Sequence, residues 1–304
     1  MKAEFRFRFH SQRVDFVDTL PGRFHVRFLP IFLWKIGLRR KRRRRTLRFC
    51  EDDGLTECLL PVMIGKNNEH IGGGGSFMKR SEIQRAIMWA KGLLAANRFA
   101  LPMFADWSME EWKKRKTEAD VIIRTMRGWD VTTFGHDDFS RMGAVLFTIR
   151  NGLLDGSAGC PYAEKLIMMR EGQVLPNHYH VMKTEDIINR GGGVLLIKVY
   201  NSLPDGTVDR TGDVKILTDG LTRYVPAGTD VEITRGNSMT IYPGLYHAFT
   251  PKPGCGDLIV GEVSSINDDR TDNYFEEKRP RFIPVEEDAE ITVPLCNEYE
   301  TLLK

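Results

Sequence analysis

The pattern of apolar and polar positions changes character twice along the chain. Over residues 1–77 little helical or strand period is sustained, and the segment closes on Ile71-Gly-Gly-Gly-Gly-Ser-Phe77. From Met78 the pattern turns helical. Ser81-Glu-Ile-Gln84 reads as a capping box, and Ile83, Ile87, Ala90 and Leu94 follow at spacings of four and three. A second box, Ser108-Met-Glu-Glu111, predicts a charged helix running to about Arg124. Val145-Leu-Phe-Thr-Ile149 is an apolar run suited to a strand. After Pro161 the text becomes short strands, predicted over 163–170, 177–183, 193–200, 213–217, 222–225, 230–234, 238–242, 246–250 and 257–263. Turn signals such as Pro204-Asp-Gly206, Pro226-Ala-Gly228 and Pro243-Gly244 separate them. Many short strands at such spacing predict a mainly β sandwich or barrel. The expected organisation is a basic, disordered extension over 1–77, a helical lead-in over 78–160, a barrel over 161–275, and an acidic tail over 276–304 that wraps the outside.

Charge sharpens the first boundary. Residues 1–77 hold 16 Lys and Arg against 8 Asp and Glu, which leaves 28 against 33 for the rest of the 304-residue chain. Arg39-Arg-Lys-Arg-Arg-Arg-Arg45 is a block of like charge that usually stays solvated. It is readable as a nucleic-acid arm, a nuclear-type signal or a membrane-surface patch. The favoured expectation is different: the glycine run corresponds to purine-rich codons of the kind found in a translated ribosome-binding site, and Met78 is the natural start. Nucleic acid is therefore expected as a partner only through this arm. The five cysteines are scattered and form no CxxC pair, so a reducing, cytoplasmic setting is expected. The longest apolar run, Phe28 to Trp34, is broken by Pro30 and is far short of the roughly 20 residues a spanning helix needs.

The chemistry concentrates in two motifs. In Gly172-x5-His178-x-His180-x4-Glu185-x6-Gly192, histidines at i and i+2 on a strand share a face and can reach one ion. Strict alternation would send Glu185 to the opposite face, so a bend or bulge is expected before it. Pro243-Gly-Leu-Tyr-His247 adds a third histidine just after a tight turn. An HxH alone is weak evidence for metal. Here three of the four histidines after Met78 lie in the motifs, with only His136 left over. His178, His180, Glu185 and His247 make an N3O donor set that suits Mn, Fe, Co, Ni or Zn better than Ca or Mg. Gly191-Gly-Gly193 lacks the strand–GxGxxG–helix context of a nucleotide loop and reads as a tight barrel turn.

Both motifs resemble the signature motifs of the cupin superfamily, whose fold is a double-stranded β-helix or jelly roll. The second departs from the pattern, with six residues between Gly236 and Pro243 and with PG in place of PxG. A closer resemblance covers Met78 to Lys304. Gly128-Trp-Asp, Tyr162-Ala-Glu-Lys, Glu171-Gly-Gln-Val, Glu185-Asp-Ile-Ile-Asn-Arg-Gly-Gly-Gly193, Gly261-Glu-Val-Ser264 and Asn267-Asp-Asp-Arg-Thr-Asp-Asn273 are similar to phrases of bacterial D-lyxose ketol-isomerases. That resemblance implies a Mn-dependent sugar isomerase interconverting D-lyxose with D-xylulose, and in many members D-mannose with D-fructose. Cupins commonly pair through sheet faces, which makes a homodimer the expected assembly.

Such a reaction needs a base for a carbon-bound proton. Glu262 is the preferred base: Leu258, Val260 and Glu262 share a strand face, which would set the carboxylate among apolar neighbours. Lys183, in the bend before Glu185, is placed to steady the oxygen on which charge develops. Glu185 doubling as ligand and base stays open. Asp268, Asp269 and Arg270 follow the Glu262 strand in a polar loop and are expected to bond sugar hydroxyls, and Tyr246 is either a core aromatic or a sugar platform. Two rival readings remain at this point, an iron dioxygenase and a non-catalytic sugar-binding cupin.

Overall fold

The computed structural model describes residues 77–266 and 272–304, together with the backbone of the strands within 1–76. The chain divides into two compact units, Met1–Gly72 and Gly73–Lys304. The first contains an antiparallel meander, β1 (Phe5–Phe9), β2 (Gln12–Leu20), β3 (Arg23–Phe28) and β4 (Phe32–Gly37), and a hairpin of β5 (Phe49–Glu51) and β6 (Gly54–Thr56). The expectation of little strand period over 1–77 is corrected to that extent, since alternation such as Phe5, Phe7, Phe9 does carry a period of two. The cation block Arg39–Arg45, on which the arm reading rests, lies outside the described residues.

The second unit opens with β7 (Met78–Lys79) and helix α1 (Arg80–Ala96). The helix begins one residue ahead of Ser81, and Glu82 accepts a hydrogen bond from the Lys79 amide at 3.2 Å. Ser81 instead donates to Asp288 of the tail, at 2.8 Å from both its amide and its hydroxyl. The second capping box forms as expected, with reciprocal bonds between Ser108 and Glu111 of 3.2 and 3.0 Å. The charged helix it opens is shorter than expected. α2 (Met109–Arg115) and α3 (Asp120–Arg124) are separated where Lys113 to Lys116 set four cations in a row ahead of the β-branched Thr117.

The strands that follow are β8 (Gly128–Thr132), β9 (Ala144–Gly152), β10 (Gly159–Met169), β11 (Leu175–Tyr179), β12 (Glu185–Gly192), β13 (Leu195–Ser202), β14 (Val208–Asp209), β15 (Asp213–Thr218), β16 (Leu221–Pro226), β17 (Asp230–Ile233), β18 (Ser238–Ile241), β19 (Leu245–Pro251), β20 (Leu258–Ser265), β21 (Tyr274–Phe275) and β22 (Val285–Glu286). Strands β8 to β21 form an eight-stranded sheet ordered β16-β15-β18-β12-β20-β10-β9-β8 and a smaller sheet ordered β14-β13-β19-β11-β21, with β17 added on β13. All these pairs are antiparallel, and the two sheets close over one apolar interior as a jelly-roll barrel. A domain boundary at 160/161 would cut β10, because β9 and β8 extend the barrel sheet on its N-terminal side.

A period of two sorts the interior. Ile167 and Met169 of β10, Leu146 of β9, Ile187 of β12 and Val260 of β20 face the barrel core with Ile197, Ile233 and Phe249. Their alternate neighbours Leu166, Met168, Val145, Phe147 and Ile259 face outward and are covered by Ile83, Ile87, Ala90 and Leu94 of α1. Each fully buried Ile or Leu on that helix contributes about 1.5–3 kcal/mol. The tail closes the same side: β22 pairs with β7, and Tyr299 and Leu303 pack on Trp112. At the end of β12, Gly192 has φ 77°, and a Cβ there would lie 2.1 Å from the Asp257 carbonyl oxygen, so only glycine fits.

Candidate active site and metal centre

The inward-facing rows that make the core carry polar side chains at one end of the barrel. Seven ionisable side chains are buried there: His178, His180, His247, Glu185, Glu262, Lys165 and Lys183. Charged groups are seldom buried unless paired, so a cluster of this kind marks a site rather than a packing accident.

The histidines come from the smaller sheet. His178 on β11 and His247 on β19 are direct cross-strand partners, with ring centroids 4.1 Å apart, and His180 follows immediately after β11. One nitrogen from each of the three can gather within 4.8 Å of the others. Glu185 does not share their strand. The expected bend in one strand is corrected here: the chain leaves β11, turns through 180–184, and Glu185 opens β12 in the facing sheet. Its inward parity matches that of Ile187, so the carboxylate reaches across the barrel to the imidazoles.

The rings are held in one tautomer. Nδ1–H of His178 donates to the Pro176 carbonyl at 2.9 Å, that of His180 to the Asp272 carbonyl at 2.6 Å, and that of His247 to the Leu245 carbonyl at 3.0 Å. A carbonyl can only accept, so in the neutral ring each Nε2 presents a lone pair. Nε2 of His180 and His247 are buried and make no hydrogen bond, although Glu185 Oε1 lies 3.5 and 3.2 Å from them. A carboxylate facing unprotonated nitrogens is lone pair against lone pair, an arrangement that a shared cation relieves. Burial, then the neighbouring imidazoles, hold the His178 ring nitrogen well below the usual histidine range, and burial likewise lowers His247. Burial would raise the Glu185 carboxyl, but the surrounding charge, led by the Lys183 ammonium at 2.6 Å, more than offsets it and keeps the group well below the usual carboxylate range. Neutral imidazoles and an ionised carboxylate are the forms that bind metal. The donor set therefore fits a divalent ion held by His178, His180, Glu185 and His247.

Glu262 on β20 lies beside this set, but its surroundings differ from expectation. It faces Lys183 Nζ at 3.1 Å, Ser264 Oγ at 3.1 Å and Lys165 Nζ at 3.6 Å. The apolar neighbours on its strand, Leu258 and Val260, lie deeper in the core. Lys183 bridges Glu185 and Glu262, and these two lysines and two carboxylates sum to zero charge. Lys165 was not singled out in sequence, although its parity with Ile167 and Met169 on an inward row would have found it. Arg281, whose Nη1 is 2.6 Å from Asp130 Oδ2, lines the cavity between Glu262 and the tail. A larger opening bounded by Thr148, Asn151, Lys165 and Arg281 lies beside it. Tyr246 is buried on the face of β19 away from His247 and donates to the Gly206 carbonyl at 2.8 Å, so it is a packing residue. Asp268, Asp269 and Arg270 lie outside the described residues.

A jelly-roll barrel with one histidine on a strand, a second just past its end, a third on the neighbouring strand and a glutamate from the facing sheet is a cupin-type fold whose donor set suits a divalent metal. The chain belongs to the D-lyxose isomerase family, which matches it over residues 78–299, and it is a sugar aldose–ketose isomerase. It is 40% identical over 228 residues to a D-lyxose/D-mannose isomerase of Escherichia coli O157:H7, covering 73% of this chain and 98% of that protein. A D-lyxose/D-mannose isomerase of Serratia proteamaculans is 39% identical over 225 residues, with the same two coverages. Among solved structures, the L-ribose isomerase of Acinetobacter sp. DL28 in complex with L-ribose is 15% identical, with a TM-score of 0.47, covering 70% of this chain and all of that one.

Proposed function

We propose that this isomerase interconverts D-lyxose with D-xylulose and D-mannose with D-fructose, using one Mn ion held by His178, His180, Glu185 and His247. The single observation that carries the reading is the convergence of those four donors beside Glu262 and Lys183. The bound ion supplies Lewis acidity that polarises the sugar carbonyl. Glu262 takes the proton from C2 and returns it to C1. Its reach fits the role, since it is buried and lines the same cavity as His178, Lys183 and Glu185. Lys183, held between Glu185 and Glu262, places its ammonium where the migrating oxygen charge develops. Lys165 flanks Glu262 from β10 and orients the carboxylate. Asp268, Asp269 and Arg270 take the sugar hydroxyls distant from the reacting carbons.

The wider reading is a homodimer acting in a reducing cytoplasm; the unbridged Cys160, Cys255 and Cys296 support the reducing setting. No helix among the described residues is long and apolar enough to cross a membrane. The test is to incubate Mn-loaded protein with D-lyxose, D-mannose, D-xylose and D-ribose and to measure ketose. Turnover of the first two ahead of the others is expected, and ketose from none of them would end the proposal.

A further inference from the structure

Lys183 sits in a five-residue turn between β11 and β12, and the ion pairs at the tip of its side chain do not by themselves fix the backbone that carries it. The hydrogen bonds show what fixes it. The Asp272 carboxylate accepts from three successive amides: Val181 at 2.9 Å and Met182 at 3.2 Å on Oδ1, and Lys183 at 2.9 Å on Oδ2. The carbonyl of the same residue accepts the Nδ1–H of His180 at 2.6 Å. A carboxylate that receives consecutive amides fixes a turn much as it caps a helix, and charge-assisted bonds of this kind are the strong ones. The side chains of Val181 and Met182 are exposed, so packing does not hold the middle of the turn.

We propose that Asp272 is a positioning residue that ties Lys183 and His180 into one unit. Its side chain fixes the turn that carries the Lys183 ammonium to Glu185 and Glu262, and its main chain fixes the tautomer and heading of a metal-binding ring. The inference rests on the proposed catalytic role of Lys183 for its kinetic consequence, but not for its structural one.

The test uses the full-length protein with D272N, D272A and K183M. Asn has the shape of Asp, but it puts an NH2 group against a backbone N–H whichever way it turns. In metal-free protein, amide hydrogen exchange of peptides covering 180–184 is expected to rise in both Asp272 variants while exchange over the core strands stays unchanged. In Mn-loaded protein, kcat for D-lyxose is expected to fall about 10–100-fold with little change in KM. D272N combined with K183M is expected to be no slower than K183M alone. Cobalt(II) titrated into metal-free D272A is expected to bind about tenfold more weakly than to the parent. Unchanged exchange over 180–184, or additive losses in the double variant, would overturn the proposal. A K183M variant as fast as the parent would instead refute the catalytic role given to Lys183, while the exchange measurement still decides whether Asp272 orders the turn.

Discussion

Glu262→Gln separates catalysis from architecture at the residue proposed as the base. Gln keeps the shape and leaves one oxygen to accept from Lys183 and Ser264, each at 3.1 Å. What it removes is the proton acceptor and the charge opposite Lys165 and Lys183. Loss of a general base costs about 10²–10⁴-fold in rate. At about 1.36 kcal/mol per tenfold, the barrier rises by roughly 2.7–5.4 kcal/mol. Weakening a buried hydrogen bond to a charged partner costs about 1.5–3 kcal/mol of stability. For a unit of this size that corresponds to a melting point lower by about 3–12 °C. Both effects are measurable in one preparation well below the melting range. The assay follows ketose formation from D-lyxose in D2O, with NMR observation of deuterium at C2 of the recovered aldose. The variant should bind sugar with an unchanged KM, lose kcat by at least 100-fold and leave C2 unexchanged. A variant with normal kcat and normal C2 exchange would show that another group, with Glu185 the nearest carboxylate, moves the proton.

Two further outcomes follow from buried charge. The Arg80 side chain is fully buried and pairs with Glu287 and Glu298, so it clasps the start of α1 to the tail. Arg80→Met strands the mostly buried Glu298 and should cost about 3–5 kcal/mol, or about 6–20 °C in a thermal melt, with kcat unchanged at temperatures where the protein stays folded. A melt within a degree of the parent would show that tail packing alone closes this side. The second outcome concerns pH. His178 and His247 titrate below their unfolded value of about 6.5, so below that pH the unfolded chain binds protons that the folded chain does not. The metal-free protein should therefore be fully stable above about pH 6.5 and lose up to about 1.4 kcal/mol per pH unit for each ring as the pH falls toward the folded values. Urea melts between pH 8 and pH 5 measure this, and a midpoint that rises on acidification would contradict neutral buried rings.

How much of this was legible in the sequence depends on what each position does. β10, β13 and β20 announce themselves because alternate residues are apolar for packing reasons alone. β12 does not. Its inward positions are Glu185, Ile187, Asn189 and Gly191, and Asn189 is there to bond the carbonyls of Gly193 and Ile233, each at 2.9 Å. A strand whose inner face serves chemistry and hydrogen bonding lacks the period that reveals strands, which is why Glu185 looked like the end of a bent β11. The donor residues themselves were readable because HxH spacing and a PG turn constrain them locally. Lys165, Asp272 and Arg281 were not, since they enter the site from β10, from just before β21 and from the tail, remote in sequence from the motifs, through pairings that only the closed barrel brings about.

The central claim is that turnover requires one ion at the His178, His180, Glu185 and His247 set. Full-length protein stripped of metal and titrated with Mn, with ketose formation from D-lyxose measured at each step, tests it most directly. The rate should be near zero in the stripped protein and rise in proportion to bound metal until one ion per chain is reached. Undiminished turnover in the stripped protein, or a rate indifferent to bound metal, would contradict it.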